Sequence, residues 1–151
     1  MIQPFDNSRI TRGADQIARY DDRPASLVEM LRATVDRMPD KEALVELDGE
    51  RITYRELWDG ALVYSARLAA QGVGPGQTVA IMLPTSKDYL FCFYGTLLAG
   101  GIPVPLYPPA RLATIEDHMT RHVSVLRSAG AAVMVTIPET KPLAWLLRAQ
   151  V

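Results

Sequence analysis

Two short segments of this 151-residue chain carry residue types that bind phosphate in other proteins. Gly72–Gly76 (GVGPG) is rich in glycine, but it is predicted to leave a helix and enter a strand, whereas phosphate loops run from a strand into a helix N-terminus. Leu83–Lys87 (LPTSK) has the correct direction, and Ser86 and Lys87 could hold an anion at a helix start. It lacks the glycines that let a backbone wrap a phosphate. We favour a helix end followed by a turn for the first segment, and a plain N-cap with a solvated lysine for the second.

A pair of histidines, His118 and His122, lies four residues apart on a predicted helix, beside Glu116 and Asp117. That spacing can hold a metal ion. No glutamate directly follows His118, so the pair does not form the zinc-protease signature. Because His122 also falls on the apolar stripe of the helix, we favour a partly buried structural histidine over a metal ligand.

Cysteine and aromatic side chains are the remaining candidates for chemistry. Cys92 has apolar neighbours and no adjacent base, which predicts an inert thiol in the core. Tyr94, Tyr107 and Trp145 could line a ligand pocket, but packing in the core is the favoured interpretation. We therefore predict no catalytic, cofactor-binding or metal-binding residue in this chain, and the sequence leaves its substrate contacts open.

Composition narrows the class of protein. Sixteen basic and seventeen acidic residues leave a net charge of −1, which gives no electrostatic footprint for nucleic acid. The 48% hydrophobic content is ordinary for a soluble globular domain. One cysteine excludes an internal disulfide, and the N-terminus lacks the apolar core of a signal peptide, so a cytoplasmic location is predicted. Residues 1–24 show no clear period and predict an extended or partly disordered arm before a unit at 25–151.

One uncharged stretch, Tyr89–Ala110, is long enough to cross a bilayer by residue count alone. Pro103 and Pro105 would each remove a helical hydrogen bond that lipid cannot replace. A core helix followed by a buried strand explains the same pattern, so no membrane span is predicted.

Helix caps and turn residues predict the elements that position these side chains. Ser26 and Glu29 form a capping box that opens a first helix, and Thr53 and Glu56 form a second. Between the two helices, strands at 43–47 and 51–53 flank Asp48-Gly49, which is a hairpin signal. The second half alternates strands and helices, with strands at 78–83, 102–105 and 131–136 and helices at 86–100, from Thr114 through Leu126, and at 141–149. This order is typical of an α/β fold: a partial, mostly parallel sheet flanked by helices, with an N-terminal helix and a β-hairpin.

Three segments in a fixed order carry a family resemblance: ITYREL at 52–57, GVGPGQTVAIMLPTS at 72–86 and LLAGGIPVPL at 97–106. Together they resemble the opening of the adenylate-forming (AMP-binding) enzymes, a superfamily of acyl-CoA synthetases, fatty acyl-AMP ligases and nonribosomal-peptide adenylation domains. The resemblance covers 26–136. The Tyr-Pro-Pro that begins at Tyr107 is most similar to the fatty acyl-AMP ligases and their long-chain acyl-CoA synthetase relatives.

The resemblance implies the N-terminal part of the large domain of a fatty-acid-activating ligase. Such a parent enzyme uses ATP and magnesium to convert a fatty acid to acyl-adenylate and pyrophosphate. It then passes the acyl group to coenzyme A or to a carrier-protein thiol. The family's ATP-gripping loop, hinge aspartate and catalytic lysine have no match among these residues, so the chain by itself is expected to be inactive and to bind no cofactor. Its first partner would be the remainder of its own enzyme.

A second hypothesis is a stand-alone, non-catalytic α/β module that binds an acyl chain or a protein partner. If the chain is a piece of a larger sheet, it exposes a strand edge and an apolar face. The isolated chain is then predicted to self-associate, to exchange elements with a copy of itself, or to be only marginally stable.

Overall fold

The structure is a computed structural model that describes residues 25–107 and 115–150. Within those ranges the helices are α1 (Leu27–Arg37), α2 (Tyr54–Ala70), α3 (Lys87–Leu98), α4 (Ile115–Ala129) and α5 (Lys141–Arg148). The strands are β1 (Glu42–Val45), β2 (Arg51–Thr53), β3 (Thr78–Met82), β4 (Ile102–Pro105) and β5 (Ala131–Thr136), and a 3₁₀ turn at Pro138–Thr140 leads into α5. The predicted α/β class and element order are confirmed. The predicted arm at 1–24 and the Thr114 cap lie outside the described residues.

Helix α1 begins at a cap that differs slightly from the predicted box. Ser26 Oγ accepts a hydrogen bond from the backbone N–H of Glu29 at 3.1 Å, as expected. The Glu29 carboxylate, however, accepts from the N–H of Ala25 at 2.6 Å, one residue before the predicted donor. Leu31 is buried against β2 and the start of α2, whereas Leu27 is 48% exposed because that apolar cluster does not extend to the first turn.

The hairpin and the start of α2 follow the sequence closely. Gly49 turns the chain with φ +92°, a conformation that favours glycine, and β1 pairs with β2 in antiparallel fashion. Thr53 Oγ1 accepts from the N–H of Glu56 at 3.2 Å, and the Glu56 carboxylate accepts from the N–H of Thr53 at 2.8 Å. Both hydrogen bonds of this capping box are present, and they satisfy the backbone N–H groups of Thr53 and Glu56 at the start of the helix.

A three-stranded parallel sheet in the order β4-β3-β5 forms the centre of the fold. The chain moves from β3 outward to β4 and then back across β3 to β5. Because parallel crossovers keep one hand, connections that run in opposite directions place their helices on opposite faces of the sheet. Helix α3 accordingly packs on one face with α2, and α4 packs on the other with α5.

Strand β3 supplies the core on both faces. Val79 and Ile81 point toward α2 and α3, whereas Ala80 and Met82 point toward α4 and α5, and all four side chains are fully buried. Because β3 is buried on both faces, neither face carries polar side chains, and this explains the continuous apolar sequence of the strand.

Glycines bring helices α2 and α3 into close contact. A Cβ placed on Gly95 would lie 2.6 Å from Tyr64 Cβ and 2.8 Å from the carbonyl oxygen of Ala61. A Cβ on Gly60 would lie 2.7 Å from the ring of Phe91. The two helices therefore approach one another at a distance that excludes a side chain at either glycine.

We expect Gly95→Ala to destabilise the chain by about 1–3 kcal/mol, because the added methyl overlaps atoms that cannot rotate away. Helix propensity alone would favour alanine by about 1 kcal/mol, so the sign of the change separates the two effects. Urea unfolding measures it. Gly74→Ala is the matched control, since nothing lies within 4 Å of its added Cβ, and it should stay within about 0.5 kcal/mol of the parent. A stabilised Gly95→Ala variant would show that the helices pack less closely.

The contribution of the α2 capping box to folding stability depends on pH through Glu56. Its hydrogen bonds from the Thr53 backbone N–H and then from the Thr53 hydroxyl hold the pKa of the Glu56 carboxyl below its usual value. A carboxyl whose pKa is lowered on folding stabilises the fold above its unfolded pKa and loses that contribution as the pH falls through the folded pKa. Glu56→Gln should therefore be less stable than the parent at neutral pH, and the difference should shrink as the pH falls through the lowered pKa of the folded Glu56. Thermal unfolding across pH tests this, and a pH-independent difference would contradict it.

Candidate functional site

The glycine-rich segment Gly72–Gly76 forms the end of α2. The N–H of Gly72 donates to the carbonyl of Ala69 at 2.9 Å and the N–H of Val73 donates to Leu68 at 3.0 Å. Gly72 has φ +87°, as the residue after a helix C-cap often does. These bonds satisfy carbonyls at the end of the helix and occupy the first two N–H groups of the segment. The interpretation as a helix end followed by a turn is confirmed.

The N-terminus of α3, the better candidate for an anion site, is filled by a carboxylate of the chain itself. Ser86 Oγ accepts from the N–H of Tyr89 at 3.4 Å, and the N–H of Lys87 donates to the carboxylate of Glu46 in the hairpin. The first turn of a helix attracts negative charge, and here Glu46 provides it. An N-cap is confirmed, and the same position is closed to an external anion.

Lys87 is not the solvated lysine that the sequence predicts. Its Nζ lies 2.6 Å from both carboxylate oxygens of Glu50, and one-third of its side chain is exposed. The hydrogen bond to Glu50 raises the pKa of Lys87 above its ordinary value. We call Glu46, Glu50 and Lys87 the hairpin clasp, because together they fasten the β1–β2 hairpin to α3. The clasp was not predictable locally, since its two halves are separated by the whole of α2 and β3.

His122 is 4% exposed, on the side of α4 that faces the sheet, as a structural histidine would be. The side chain of His118 lies outside the described residues. Among the described side chains, no group of three or more His, Cys, Asp or Glu could hold a metal ion.

Cys92 is fully buried between α2, α3 and the sheet. Burial raises the pKa of its thiol to about 12, and nearby Asp88 acts in the same direction. The thiolate is the nucleophilic form, so this cysteine has no reactive population near neutral pH. The predicted position of Cys92 in the core is confirmed, and its low reactivity stays a prediction.

The three aromatic candidates have different surroundings. Tyr94 is partly buried against the cluster of α1, β2 and α2, with its ring 5.7 Å from that of Phe93. Tyr107 and Trp145 are 84% and 73% exposed, so the prediction that they pack in the core is wrong for both. Trp145 lies on an exposed face of α5, and Tyr107 follows the end of β4, and the local sequence pattern showed neither position to be exposed.

One polar contact between α2 and α3 escaped the sequence analysis. The Tyr64 hydroxyl donates to the carboxylate of Asp88 at 3.0 Å. Partial burial, followed by the charge of Asp88, raises the pKa of Tyr64 to about 12. Tyr64 therefore stays neutral at physiological pH and acts as a hydrogen-bond donor that ties the two helices together.

The carboxyl ends of β3, β4 and β5 form the edge at which open parallel sheets usually bind ligands. Three of the described hydroxyls at this edge have internal partners, whereas the exposed Thr85 hydroxyl has none among the described residues. Ser86 caps α3, and the hydroxyls of Thr136 and Thr140 bond to each other. Elsewhere, an open depression of about 340 Å³ lies between the start of α1 and the end of α3, and it holds no ionisable side chain. It is lined by Ser26, Leu27, Val28, Leu97 and Leu98.

The geometry therefore brings together no catalytic constellation among the described residues. Ser86, Lys87, Cys92 and the turn at Gly72 have structural roles instead. No helix in the described part of the chain is both long enough and apolar enough to cross a membrane.

Comparison with known proteins identifies the family that this chain resembles in sequence and fold. Residues 31–150 match the family model described as AMP-binding enzyme. The Long-chain-fatty-acid–CoA ligase of Bacillus subtilis (strain 168) is 32% identical over 115 residues, which cover 74% of this chain and 19% of that protein. Tyrocidine synthase 3 of Brevibacillus parabrevis is 33% identical over 121 residues, which cover 78% of this chain and 2% of that protein. This chain thus spans about a fifth or less of the length of these relatives.

The solved structure of a fatty acid AMP ligase from Legionella pneumophila has the same fold over the matched part. It superposes with a TM-score of 0.64 at 27% identity and covers 76% of this chain and 20% of its own.

The burial of Cys92 can be tested directly by measuring how fast its thiol reacts. In the Thr85→Cys variant, which adds an exposed cysteine, a disulfide reagent at pH 8 should modify one thiol quickly and Cys92 very slowly. A pKa of about 12 against an ordinary 9.0 leaves roughly a thousandfold less thiolate, and burial slows access further. Both thiols should react alike once guanidinium unfolds the chain. Rapid modification of Cys92 in the folded protein would contradict the assigned environment.

Proposed function

The chain belongs to the AMP-binding enzyme family, and from this membership we propose that it is the N-terminal part of the large domain of a ligase that activates a fatty acid. In the proposed reaction the fatty-acid carboxylate attacks the α-phosphate of ATP, forming acyl-adenylate and releasing pyrophosphate. A thiol of coenzyme A or of a carrier protein then takes the acyl group. The location proposed for this enzyme is the cytoplasm.

The observation that supports this proposal best is the extent of the match, since residues 31–150 include every described element except the first turn of α1. Relatives over this stretch include fatty-acid ligases and peptide synthetases. Fatty acid is the proposed substrate class because a fatty acid AMP ligase shares the fold and because Tyr107 opens the Tyr-Pro-Pro segment that resembles that branch.

ATP and magnesium are proposed for the longer enzyme and not for this chain alone. The glycine-rich turn uses its N–H groups within the helix end, and Glu46 fills the N-terminus of α3. The described carboxylates form no cluster that fits a metal ion. The described residues therefore do not fit the nucleotide, and we propose that the rest of the longer enzyme supplies its site.

A non-catalytic module that binds an acyl chain or a protein partner is the second candidate. The apolar depression beside Leu27 favours it, although its lining of five residues is small for an acyl chain.

The 151-residue chain should show no ATP–pyrophosphate exchange with any fatty acid. The product of the reading frame continued past Val151 should exchange with fatty acids in preference to amino acids. Both proteins are assayed side by side with fatty acids, amino acids and aromatic acids as substrates.

Turnover by the 151-residue chain would contradict its assignment as an inactive part. Exchange by the longer product with amino acids alone would contradict the proposed substrate class. A stop codon directly after Val151 would favour the non-catalytic module.

A further inference from the structure

The sequence contains the dipeptide Asp-Gly twice, at Asp48-Gly49 and at Asp59-Gly60. This dipeptide is chemically fragile, because the glycine nitrogen can attack the aspartate carboxyl and glycine has no side chain to hinder the approach. The first copy forms the turn of the β1–β2 hairpin, whereas the second lies inside α2. The fold therefore holds one reactive dipeptide in two different settings.

The reaction at this dipeptide rearranges the backbone and consumes no other reactant. The glycine nitrogen bonds to Cγ of the aspartate carboxyl in its protonated form, and the carboxyl hydroxyl leaves with the proton of the nitrogen as water. Water then opens the resulting succinimide ring at one of its two carbonyl carbons. Opening at Cγ restores aspartate. Opening at the backbone carbonyl carbon gives isoaspartate, a covalent change in which the main chain runs through the former side chain.

The folded turn at Asp48-Gly49 holds both reacting groups in other hydrogen bonds. The N–H of Gly49 donates to the carbonyl of Glu46 at 3.0 Å. The Asp48 carboxylate accepts from the N–H of Glu50, also at 3.0 Å. Both bonds must break before the ring can form, so the closed turn suppresses the reaction and the turn must open for it to proceed.

The hairpin tip, residues 46–50, is joined to α3 by the hairpin clasp. The carboxylate of Glu46 accepts from the backbone N–H of Lys87, and Glu50 pairs with the Lys87 Nζ at 2.6 Å. Leu47 at the tip is fully exposed, outside the apolar cluster that packs the strands of the hairpin. Because an exposed ion pair contributes little stability, we expect the tip to open far more often than the core.

The second dipeptide is held much more firmly, although Asp59 is also exposed to water. The N–H of Gly60 lies within α2, where it bonds to the carbonyl four residues earlier. Gly60 also faces α3 so closely that a Cβ on it would lie 2.7 Å from the ring of Phe91. Ring formation at this site would require α2 to unwind and separate from α3.

We propose that Asp48-Gly49 is a site of spontaneous isoaspartate formation, that the hairpin clasp sets its rate, and that the product cannot close the clasp again. Isoaspartate adds one carbon atom to the backbone inside the turn. The turn is closed by the bond from the N–H of Glu46 to the carbonyl of Glu50, at 2.8 Å. An extra backbone atom within this bonded loop displaces Glu50 from Lys87.

Loss of the clasp changes the start of α3. Glu46 is withdrawn from the N–H of Lys87, at the carboxyl edge of the parallel sheet. Each opening of the tip thus carries a chance of becoming permanent. The fraction of isoaspartate in a sample records how long the clasp has been open.

Incubation of the 151-residue chain at neutral pH, folded and in urea, tests the proposal with the second dipeptide as an internal control. Isoaspartate is measured at both sites by digestion and electron-transfer mass spectrometry. In urea both Asp48 and Asp59 should convert, whereas in the folded chain only Asp48 should. The ratio of the folded to the unfolded rate at Asp48 should equal the open fraction that amide hydrogen exchange of Gly49 measures.

Lys87→Met and Glu50→Gln each remove the ion pair of the clasp. Each should raise the rate of conversion at Asp48 about threefold, with an equal rise in the exchange rate of the Gly49 amide. Two variants keep the proposal falsifiable if one of them fails to fold. In the isoaspartyl product, isolated by chromatography, the Lys87 amide should lose the protection from exchange that it has in the parent.

Asp36→Asn is the matched control, since it removes an exposed ion pair with Arg32 on α1 and should change neither rate. Asp48→Glu should abolish the reaction at the tip, because its ring would need an additional carbon atom.

Several outcomes would overturn the proposal. Equal conversion of Asp48 and Asp59 in the folded chain would show that the turn gives no special access, and conversion of Asp48 in urea alone would show that the folded tip does not react. Faster exchange of the Gly49 amide in Lys87→Met without faster conversion would show that the clasp does not set the rate. An isoaspartyl product that keeps its Lys87 amide protected would show that the clasp still closes.

Discussion

Helices α2 and α3 can lie close together because α3 has no side chain at Gly95, where a Cβ would come within 2.8 Å of the Ala61 carbonyl oxygen. Helix α3 leads directly from β3 to β4, so its position sets where both strands can lie. The hydrogen bond from Tyr64 to Asp88 and the burial of Cys92 follow from the same approach. The parallel sheet thus depends on the close contact between the backbones of α2 and α3 at Gly95.

Features with short-range causes were predictable from the sequence. The capping box of Thr53 and Glu56 needs only four consecutive residues, and the direction of the segment that begins at Gly72 showed that its glycines end a helix. The strands could be located because β3 is apolar throughout and the prolines of β4 are tolerated only at an edge.

Features that depend on tertiary packing were not predictable. The contact between Glu46 and Lys87 joins residues that only the docking of the hairpin brings together. Trp145 and Tyr107 are exposed although aromatic side chains are usually buried, and no local pattern marks either as a surface residue. The structural role of a candidate segment was predictable where it followed from the order of helix and strand along the chain, as at Gly72. It was not predictable where it depended on the tertiary contacts of a side chain, as at Lys87.

The position of β3 in the sheet also governs the order of assembly. Both of its neighbours, β4 and β5, come later in the sequence, so a ribosome releases the central strand before either strand that pairs with it. Until α3 and β4 follow, only α2 is available to cover its apolar side chains. The fully buried centre of the mature fold is therefore made before most of the residues that cover it, and its apolar side chains are open to other contacts in that interval.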